Sequence, residues 1–297
     1  MSFLPIRLVV PCYERPHALA RTLPSFLRQP IAEIVVVDDG SKAPLAPLVQ
    51  KIAAGDERVR VLRLERNRGS SAARNSGAQS TRHEFVLFAD DDVVLAETYC
   101  ATLHAHLLAR RADVAAGRRL WLAPGETPDA ARRNRVRRVE AAALVDCGHF
   151  VYDDEADFAD DLEAPLVAPV MLVRRELLKK IRYDESSFRD TGFREETDFQ
   201  VQARRAGAKL LACPHALCFH LPKEELGGTG GQRRGRVLAY EWQRLRNDVA
   251  FRRKHFQALR KELGFKPGLT PWLGALHAYF GFRVPSKVRH LLKKEGP

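Results

Sequence analysis

The sequence has little of what staples a small protein and nothing that obviously spans a membrane. Its five cysteines, Cys12, Cys100, Cys147, Cys213 and Cys218, are odd in number, widely spread and free of any Cys-x-x-Cys pair. That pattern excludes a disulfide framework and leaves reduced, mostly buried thiols. No apolar run approaches the roughly 18 residues that a membrane-crossing helix needs. Met1 to Arg7 lacks a basic start, a long apolar segment and a small-residue cleavage site, so no secretory leader is expected and the cytoplasm is the expected compartment. Internal repeats and low-complexity tracts are also missing. What remains is globular in character: 297 residues, 45% hydrophobic and 29% charged, enough to bury a large core.

Charge is unevenly placed. The net charge is +12, and from Leu221 onward there are 17 Lys and Arg against 6 Asp and Glu, so nearly all the excess is C-terminal. Such a stretch suits nucleic acid, an anionic membrane surface or an acidic ligand.

The first 120 residues alternate short apolar runs with amphipathic stretches, the order of a β-α-β succession and hence of a mostly parallel sheet between helices. Strands are expected at Ile6–Cys12, Ile34–Val37, Val59–Leu64 and Phe85–Phe88. Helices are expected at Pro16–Arg28, Lys42–Ala54, Ser70–Gln79 and Leu95–Arg111. Val114–Trp121 and Leu166–Val173 read as further strands, Glu195–Ala206 as a helix closed by Gly207, and Lys209–Ala212 as a last strand. Between Ala130 and Pro165 the periodicity weakens around a basic run, Arg132–Arg138, and an acidic one, Asp153–Glu163, which predicts an irregular or mobile insertion. After the glycine-rich Leu226–Gly231 hinge, Gln232–Leu263 has the pattern of one long helix. Its apolar stripe is Leu238, Trp242, Leu245, Val249, Phe256, Leu259 and Leu263, broken by Arg252. Pro271–Phe282 and Pro285–Lys294 complete a helical tail.

Strands that are apolar throughout are buried on both faces, so their chemistry belongs at their C-terminal ends. There the chain carries Pro11-Cys-Tyr-Glu-Arg-Pro16, Asp38-Asp39-Gly-Ser41, Arg66-Asn-Arg-Gly69 and Asp90-Asp91-Asp92. Asp39-Gly40 alone is only a turn signal, but two acids and a serine after a buried strand put acceptors where α/β sheets bind nucleotides. Three adjacent carboxylates repel one another unless a cation or solvent compensates. Mg²⁺ or Mn²⁺, which takes oxygen ligands and leaves room for phosphate, is one compensation; a solvated acidic turn before a helix is the other. Asn67 to Gly77 places small residues at a helix start with Arg74 on its first turns. That start can receive an anion such as phosphate, or be a capped helix with an exposed arginine.

In order and spacing these four segments resemble the N-terminal half of the family 2 glycosyltransferases, GT-A fold enzymes that use nucleotide-diphosphate sugars. The resemblance runs over roughly Ile6–His220. It implies that Pro11, Tyr13 and Glu14 line the nucleoside pocket, although relatives often have Asn at the position of Glu14. It also implies that Asp39 reads the base and that Arg74 supports the nucleotide side. Asp90-Asp91-Asp92 corresponds to the family's Asp-x-Asp motif, with Asp92 as the direct metal ligand and Asp90 and Asp91 near ribose and bound water. The implied cofactor is Mn²⁺ or Mg²⁺.

Thr191-Gly-Phe-Arg-Glu-Glu-Thr-Asp-Phe199 resembles the family's Glu-Glu-x-Asp segment. By position Glu196 matches the catalytic base, Glu195 is the second candidate, and Asp198 is structural or acceptor-binding. From local sequence alone, carboxylates at a helix start are equally well capping or dipole devices. Cys213-Pro-His-Ala-Leu-Cys-Phe-His220 has intervals unlike a zinc site, so Cys213 and Cys218 are read as small packed groups. The resemblance implies that His220 completes the metal site.

The expected organisation is a catalytic domain over residues 1–226 and a basic helical extension over 227–297. Within the domain, 1–120 hold the nucleotide sugar and 121–226 the acceptor. The function implied is metal-dependent transfer of a sugar from a nucleotide-diphosphate donor to a hydroxyl acceptor, a saccharide or lipid-linked glycan, with inversion. The insertion and the Pro222–Gly231 loop are candidates for acceptor contact and for a lid. The extension either packs on the domain or a second subunit, attaches peripherally to anionic lipid, or binds an acidic acceptor. The rival reading is a noncatalytic nucleotide- or nucleic-acid-binding protein using the basic tail, with Tyr240, Trp242 and Phe251 as its aromatics. Nothing in the tail resembles a nucleic-acid module.

Overall fold

The branched apolar runs near the N-terminus pair side by side and make the parallel half of a nine-stranded sheet. The structure is a computed structural model and describes residues 3–188, 191–226, 237–263, 265 and 268–283. The first half contains β1 (Leu4–Cys12), α1 (Pro16–Leu27), β2 (Ile31–Asp38), α2 (Ala46–Ala53), β3 (Val59–Arg63), α3 (Ser70–Ala78), β4 (Phe85–Phe88), β5 (Val93–Leu95), α4 (Tyr99–Ala109) and β6 (Val114–Trp121). Next come α5 (Pro128–Asn134) and the two-residue strands β7 (Arg137–Arg138), β8 (Val145–Asp146), β9 (Val151–Tyr152), β10 (Ala156–Asp157) and β11 (Leu162–Glu163). The chain continues with β12 (Met171–Arg174), α6 (Arg175–Leu178), α7 (Glu195–Arg205), β13 (Leu210–His220), α8 (Val237–Lys261) and α9 (Pro271–Ala278).

The sheet order is β11-β13-β6-β12-β4-β1-β2-β3, with β5 on β13. β12 runs antiparallel to both its neighbours, while β13 and β6 are parallel to each other. Because β2 and β4 flank β1 on opposite sides, the strand order reverses at β1, and a crevice opens there beyond the strand ends. Two apolar clusters, one on each face, bury the sheet. The small residues of α3 bring it unusually close: a Cβ at Gly77 would lie 2.4 Å from Val9 Cγ1.

Four elements, near the sheet ends and in the insertion, differ from expectation. The helix expected from Leu95 begins at Tyr99, since Val93–Leu95 is taken as β5 by antiparallel pairing with Cys218–His220. β13 reaches His220 rather than ending at Ala212, passing Pro214 through a shift in register between Ala212 and Leu217, where a residue without an amide hydrogen interrupts the ladder. The strand expected from Leu166 starts only at Met171. Pro165 and Pro169 interrupt the stretch before it, and the Gln200 amide supplies the missing backbone partners, bonding Val167 N at 2.8 Å and Val167 O at 3.0 Å.

The fourth is the insertion, which is irregular but anchored. Its basic and acidic runs meet each other: Arg137 pairs with Asp153, and Arg135 with Glu155 at 2.9 Å. Arg118 and Arg119 of β6 hold Asp157 and Asp154, while Leu144, Phe150 and Ala156 are buried.

On α8 the expected apolar stripe is buried only in part: Val249 and Leu259 are inside, but its N-terminal members are not and charged residues join the buried face. Leu238 and Trp242 are 87% and 60% exposed, whereas Asn247, Asp248, Phe251, Arg252 and His255 are buried. Arg252, the residue that broke the stripe, is inside because the surface it meets is itself charged. Arg252 Nε and Arg194 Nε donate to the two oxygens of Asp248 at 2.8 and 2.6 Å. Arg194 also donates to the carbonyls of His149 and Phe150, so the insertion, the start of α7 and α8 are tied at one point. Leu226 apart, the glycine-rich hinge lies outside the described residues, as does Pro285–Lys294.

Candidate active site

The ends of β1, β2 and β4, the start of α7 and the end of β13 surround one cleft of ≈ 1320 Å³, partly walled by the insertion and the C-terminal helices. Pro11, Tyr13, Glu14, Asp39, Arg74, Asp90, Asp91, Asp92, Glu195, Glu196 and His220 all line it. Asp198 does not. Two residues beyond Glu196 along α7, it points about 200° away around the helix. There it accepts hydrogen bonds from His255 Nε2 at 2.5 Å, Lys254 Nζ at 3.0 Å and Gln202 Nε2 at 2.7 Å, fixing α7 to α8.

Asp38 and Asp39 divide their labour. Asp38 is fully buried and shapes its own loop, accepting from Ser41 N and Leu45 N and pairing with Arg63. Asp39 faces the cleft and accepts from Arg68 N and Gly69 N, each at 2.8 Å. Burial raises its pKa, with the two amides pulling the other way. Gly40 between the loops is required: its φ is +71°, and a Cβ would meet the Arg66 backbone at 2.4 Å. Glu14, also at positive φ, ties the same two loops, receiving Lys42 N on its carboxylate and donating its own amide to Ser41 Oγ.

Arg74 is buried among acids. Its guanidinium donates to Glu195 Oε1 at 2.5 Å, Asp90 Oδ1 at 2.7 Å and Glu196 Oε1 at 3.1 Å. The anion held at the start of α3 is therefore a side chain of this chain, since Ser70 and Ser71 also donate to Glu195, at 2.6 and 2.8 Å. Glu195 is 4% exposed and held by three donors. Glu196 receives a long bond from Arg74 and faces the cleft. Burial, followed by the charge of Glu195, pushes its pKa up to about 8 against the pull of Arg74. A helix N-terminus favours a carboxylate by only about 0.3–1 kcal/mol, too little to reverse this.

The three aspartates after β4 have distinct surroundings. For Asp90, burial raises the pKa, but Arg74, Arg119 and His220 together bring it below the ordinary range. Burial dominates at Asp91, which is pushed up to about 7 despite Arg15. Arg15 bridges the next two acids, Nη1 to Asp91 Oδ1 and Nη2 to Asp92 Oδ2, both at 2.8 Å. His220 Nε2 lies 3.4 Å from the same Asp92 oxygen. The other oxygen, Asp92 Oδ1, is buried without a hydrogen-bond partner among the described residues.

The pairing of β5 with β13 sets this geometry, as His220 sits opposite Val93, next to Asp92. His220 Nδ1 lies 2.7 Å from the Leu221 carbonyl, which only accepts, so Nδ1 carries a hydrogen. In the neutral ring Nε2 then turns a lone pair toward a carboxylate, an arrangement that calls for a proton or a cation between them. Trp121 stacks on the ring at 4.0 Å between centroids. An orphaned carboxylate oxygen and an imidazole nitrogen fit a divalent cation, and Mn²⁺ better than Mg²⁺ because of the nitrogen.

Arg15, Trp121 and Arg119 went unnoticed in the sequence. Arg15 lies in the first motif, but nothing local says that it reaches 77 residues ahead. Trp121 is the last residue of a strand, the one signal that could have found it. Of the aromatics considered for nucleic acid, Tyr240 and Phe251 are buried and only Trp242 is exposed.

The model of the family described as "Glycosyl transferase family 2" matches residues 8–182, more than half of the chain. The chain belongs to glycosyl transferase family 2. Among curated members, it is 33% identical over 114 residues to "Glycosyltransferase GlyA" of Streptococcus pneumoniae, a match spanning 38% of this chain and 16% of GlyA. The chain thus corresponds to well under two thirds of that relative. Among solved structures, Staphylococcus aureus TarS 1-349 in complex with UDP-GlcNAc superposes with a TM-score of 0.56 at 17% identity, covering 92% of this chain and 81% of TarS. GalNAc-T7 with UDP, GalNAc and Mn²⁺ gives 0.61 at 18% identity, covering 88% and 57%. These likenesses establish the GT-A fold of this family 2 member, whose crevice at β1 is the cleft described above.

Proposed function

We propose that the protein is a metal-dependent, inverting glycosyltransferase that moves a sugar from a nucleotide-diphosphate donor to a hydroxyl acceptor in glycan or glycolipid biosynthesis. The observation that carries this reading is the division between Glu195 and Glu196. One carboxylate is locked by Arg74, Ser70 and Ser71, and its neighbour faces the cleft with a pKa near 8, suited to accepting a proton near neutral pH. Glu195 and Arg74 are positioning residues in this scheme.

Asp92 and His220 would hold the cation. When bound, it offsets the charge that develops on the leaving diphosphate. Pro11, Tyr13, Glu14 and Asp39 line the nucleoside end, and Asp90 and Asp91 stand beside the cation site. Glu196 takes the acceptor hydroxyl's proton as that oxygen attacks the anomeric carbon. The bond from that carbon to the diphosphate breaks, and its electron pair stays on the diphosphate oxygen. A single displacement of this kind inverts configuration. TarS and GalNAc-T7 were both solved with uridine nucleotides, so UDP-sugars head the donors to test.

The acceptor is proposed to be a saccharide carried on lipid. No helix among the described residues is long and apolar enough to cross a membrane. Peripheral contact would fall to the basic C-terminal stretch, where Leu238, Trp242, Leu273 and Phe280 are exposed, a combination of apolar and cationic groups suited to anionic lipid. A homodimer through the same helices is the competing use of that surface.

The experiment is donor hydrolysis and thermal shift against a panel of nucleotide sugars with Mn²⁺, Mg²⁺ or chelator. Metal-dependent stabilisation by one nucleotide class, with turnover abolished in Glu196→Gln, is the expected result. Failure of every nucleotide sugar to bind under any metal condition would overturn the proposal.

A further inference from the structure

Arg15 lies where the acids need a cation. It is the residue before α1, and Pro16 follows it at the first helical position. Its backbone is held from the other side by Glu14, whose amide and carboxylate are both engaged with the loop after β2. From this fixed base its guanidinium reaches Asp91 Oδ1 and Asp92 Oδ2, each at 2.8 Å. The pairing is incomplete on both sides: Arg15 Nε and Asp92 Oδ1 are buried and lack hydrogen-bond partners among the described residues. The side chain is 18% exposed and lines the cleft, so it can swing without unpacking the core.

We propose that Arg15 is a tethered cation that occupies the acid pair in the donor-free protein, and that a nucleotide diphosphate draws it away, freeing Asp92 for the divalent ion. This rests on the donor and metal reading above and adds its regulation. A guanidinium and a divalent cation cannot both sit against Asp92 without strong mutual repulsion. The ion therefore binds only the fraction of molecules in which Arg15 has left, and its apparent affinity falls by that fraction. A diphosphate offers the guanidinium two bidentate acceptors in exchange. Donor and ion then assist each other's binding by the same factor, as linkage requires. In the absence of donor, the site stays closed to free cations and a bound ion cannot promote side reactions with water.

The test is Mn²⁺ binding to the full chain, read from the loss of the free-ion electron paramagnetic resonance signal, with and without saturating UDP. Wild type, Arg15→Met, Arg15→Lys and Asp92→Asn are compared. Arg15→Met is expected to bind Mn²⁺ about tenfold more tightly without UDP, and the tightening that UDP causes should shrink by a similar factor. Arg15→Lys, which keeps the charge but has no fork, should fall between the two. The UDP effect is a ratio within each variant, so partial loss of folded protein does not distort it. Unchanged or weaker Mn²⁺ binding by Arg15→Met, with UDP coupling intact, would overturn the role of Arg15 while leaving the enzyme reading standing. If Asp92→Asn bound Mn²⁺ as wild type does and UDP had no effect on any variant, the metal reading would fall, and this proposal with it.

Discussion

His220 Nε2 stands 3.4 Å from Asp92 Oδ2 although 128 residues separate the two in sequence. A three-residue ladder between β5 and β13 holds them there, and the Leu221 amide bonds back to the Asp92 carbonyl at 2.9 Å. Both backbones are thus locked by the fold itself, the preorganisation that the proposed metal site would need.

Removing either donor should therefore weaken the cation rather than the fold. With UDP present, the thermal stabilisation that Mn²⁺ adds is expected to disappear in Asp92→Asn and on chelation, and to shrink in His220→Gln. Mn²⁺ should outperform Mg²⁺ in wild type and lose that advantage in His220→Gln, because only the imidazole nitrogen discriminates between them. A stepwise metal titration monitored by differential scanning fluorimetry reads all three.

Glu196→Gln should lower kcat by about 10²–10⁴-fold, the usual worth of a general base, with UDP affinity little changed. The sign of the pH dependence follows from the raised pKa. As pH falls through about 8 a growing fraction of the carboxylate is protonated and unable to accept a proton, so kcat/KM should rise with pH and level off above that value. A pH-rate profile of wild type shows the ascending limb; its absence would take the base role from Glu196.

Asp198→Ala should act on stability instead. It strips a fully buried carboxylate from His255 and Lys254, and breaking a buried pair from one side costs about 3–5 kcal/mol. Urea denaturation should show the loss as a lower midpoint, while the folded fraction still binds donor because the side chain is outside the cleft.

Gly40→Ala should cost more than about 1 kcal/mol, since φ of +71° and a backbone contact at 2.4 Å leave a side chain neither the conformation nor the room. The same loop carries Asp39, so weaker nucleotide binding is expected alongside the lower melting temperature.

Co-flotation with anionic vesicles tests the C-terminal surface. The full chain should float with phosphatidylglycerol-containing vesicles and less so with neutral ones, and Leu238→Ser with Trp242→Ser should reduce the effect. Equal flotation of a chain ending at Leu226 would assign the attachment elsewhere.

Much of the N-terminal half could be read directly. Uninterrupted runs such as Val35–Val37 and Phe85–Phe88 admit only buried strands, and burial on both faces forces their polar neighbours to the strand ends. The order of strands and motifs therefore located Asp39 and Asp90 to Asp92 without coordinates. The segment Glu195 to Asp198 was also legible as a group, because acids at a helix start are conspicuous, but their roles were not. Three carboxylates in one turn look alike until the helix is placed: Glu195 then meets Arg74 and the α3 hydroxyls, Glu196 the cleft, and Asp198 the buried His255.

Tertiary structure alone decided whatever depends on partners distant in sequence. Leu95 opens a helix by local pattern but ends the strand Val93–Leu95 instead, because β13 supplies the ladder. Arg252 breaks the stripe on α8 yet is buried, since Asp248 and the Phe150 ring await it. Arg15 finds two acids 76 and 77 residues ahead. Apolar burial is largely indifferent to which apolar partner it meets, so periodicity along one chain is enough to predict it. A hydrogen-bonded charge pair needs close approach and one particular partner, and only the folded chain brings the partners within reach.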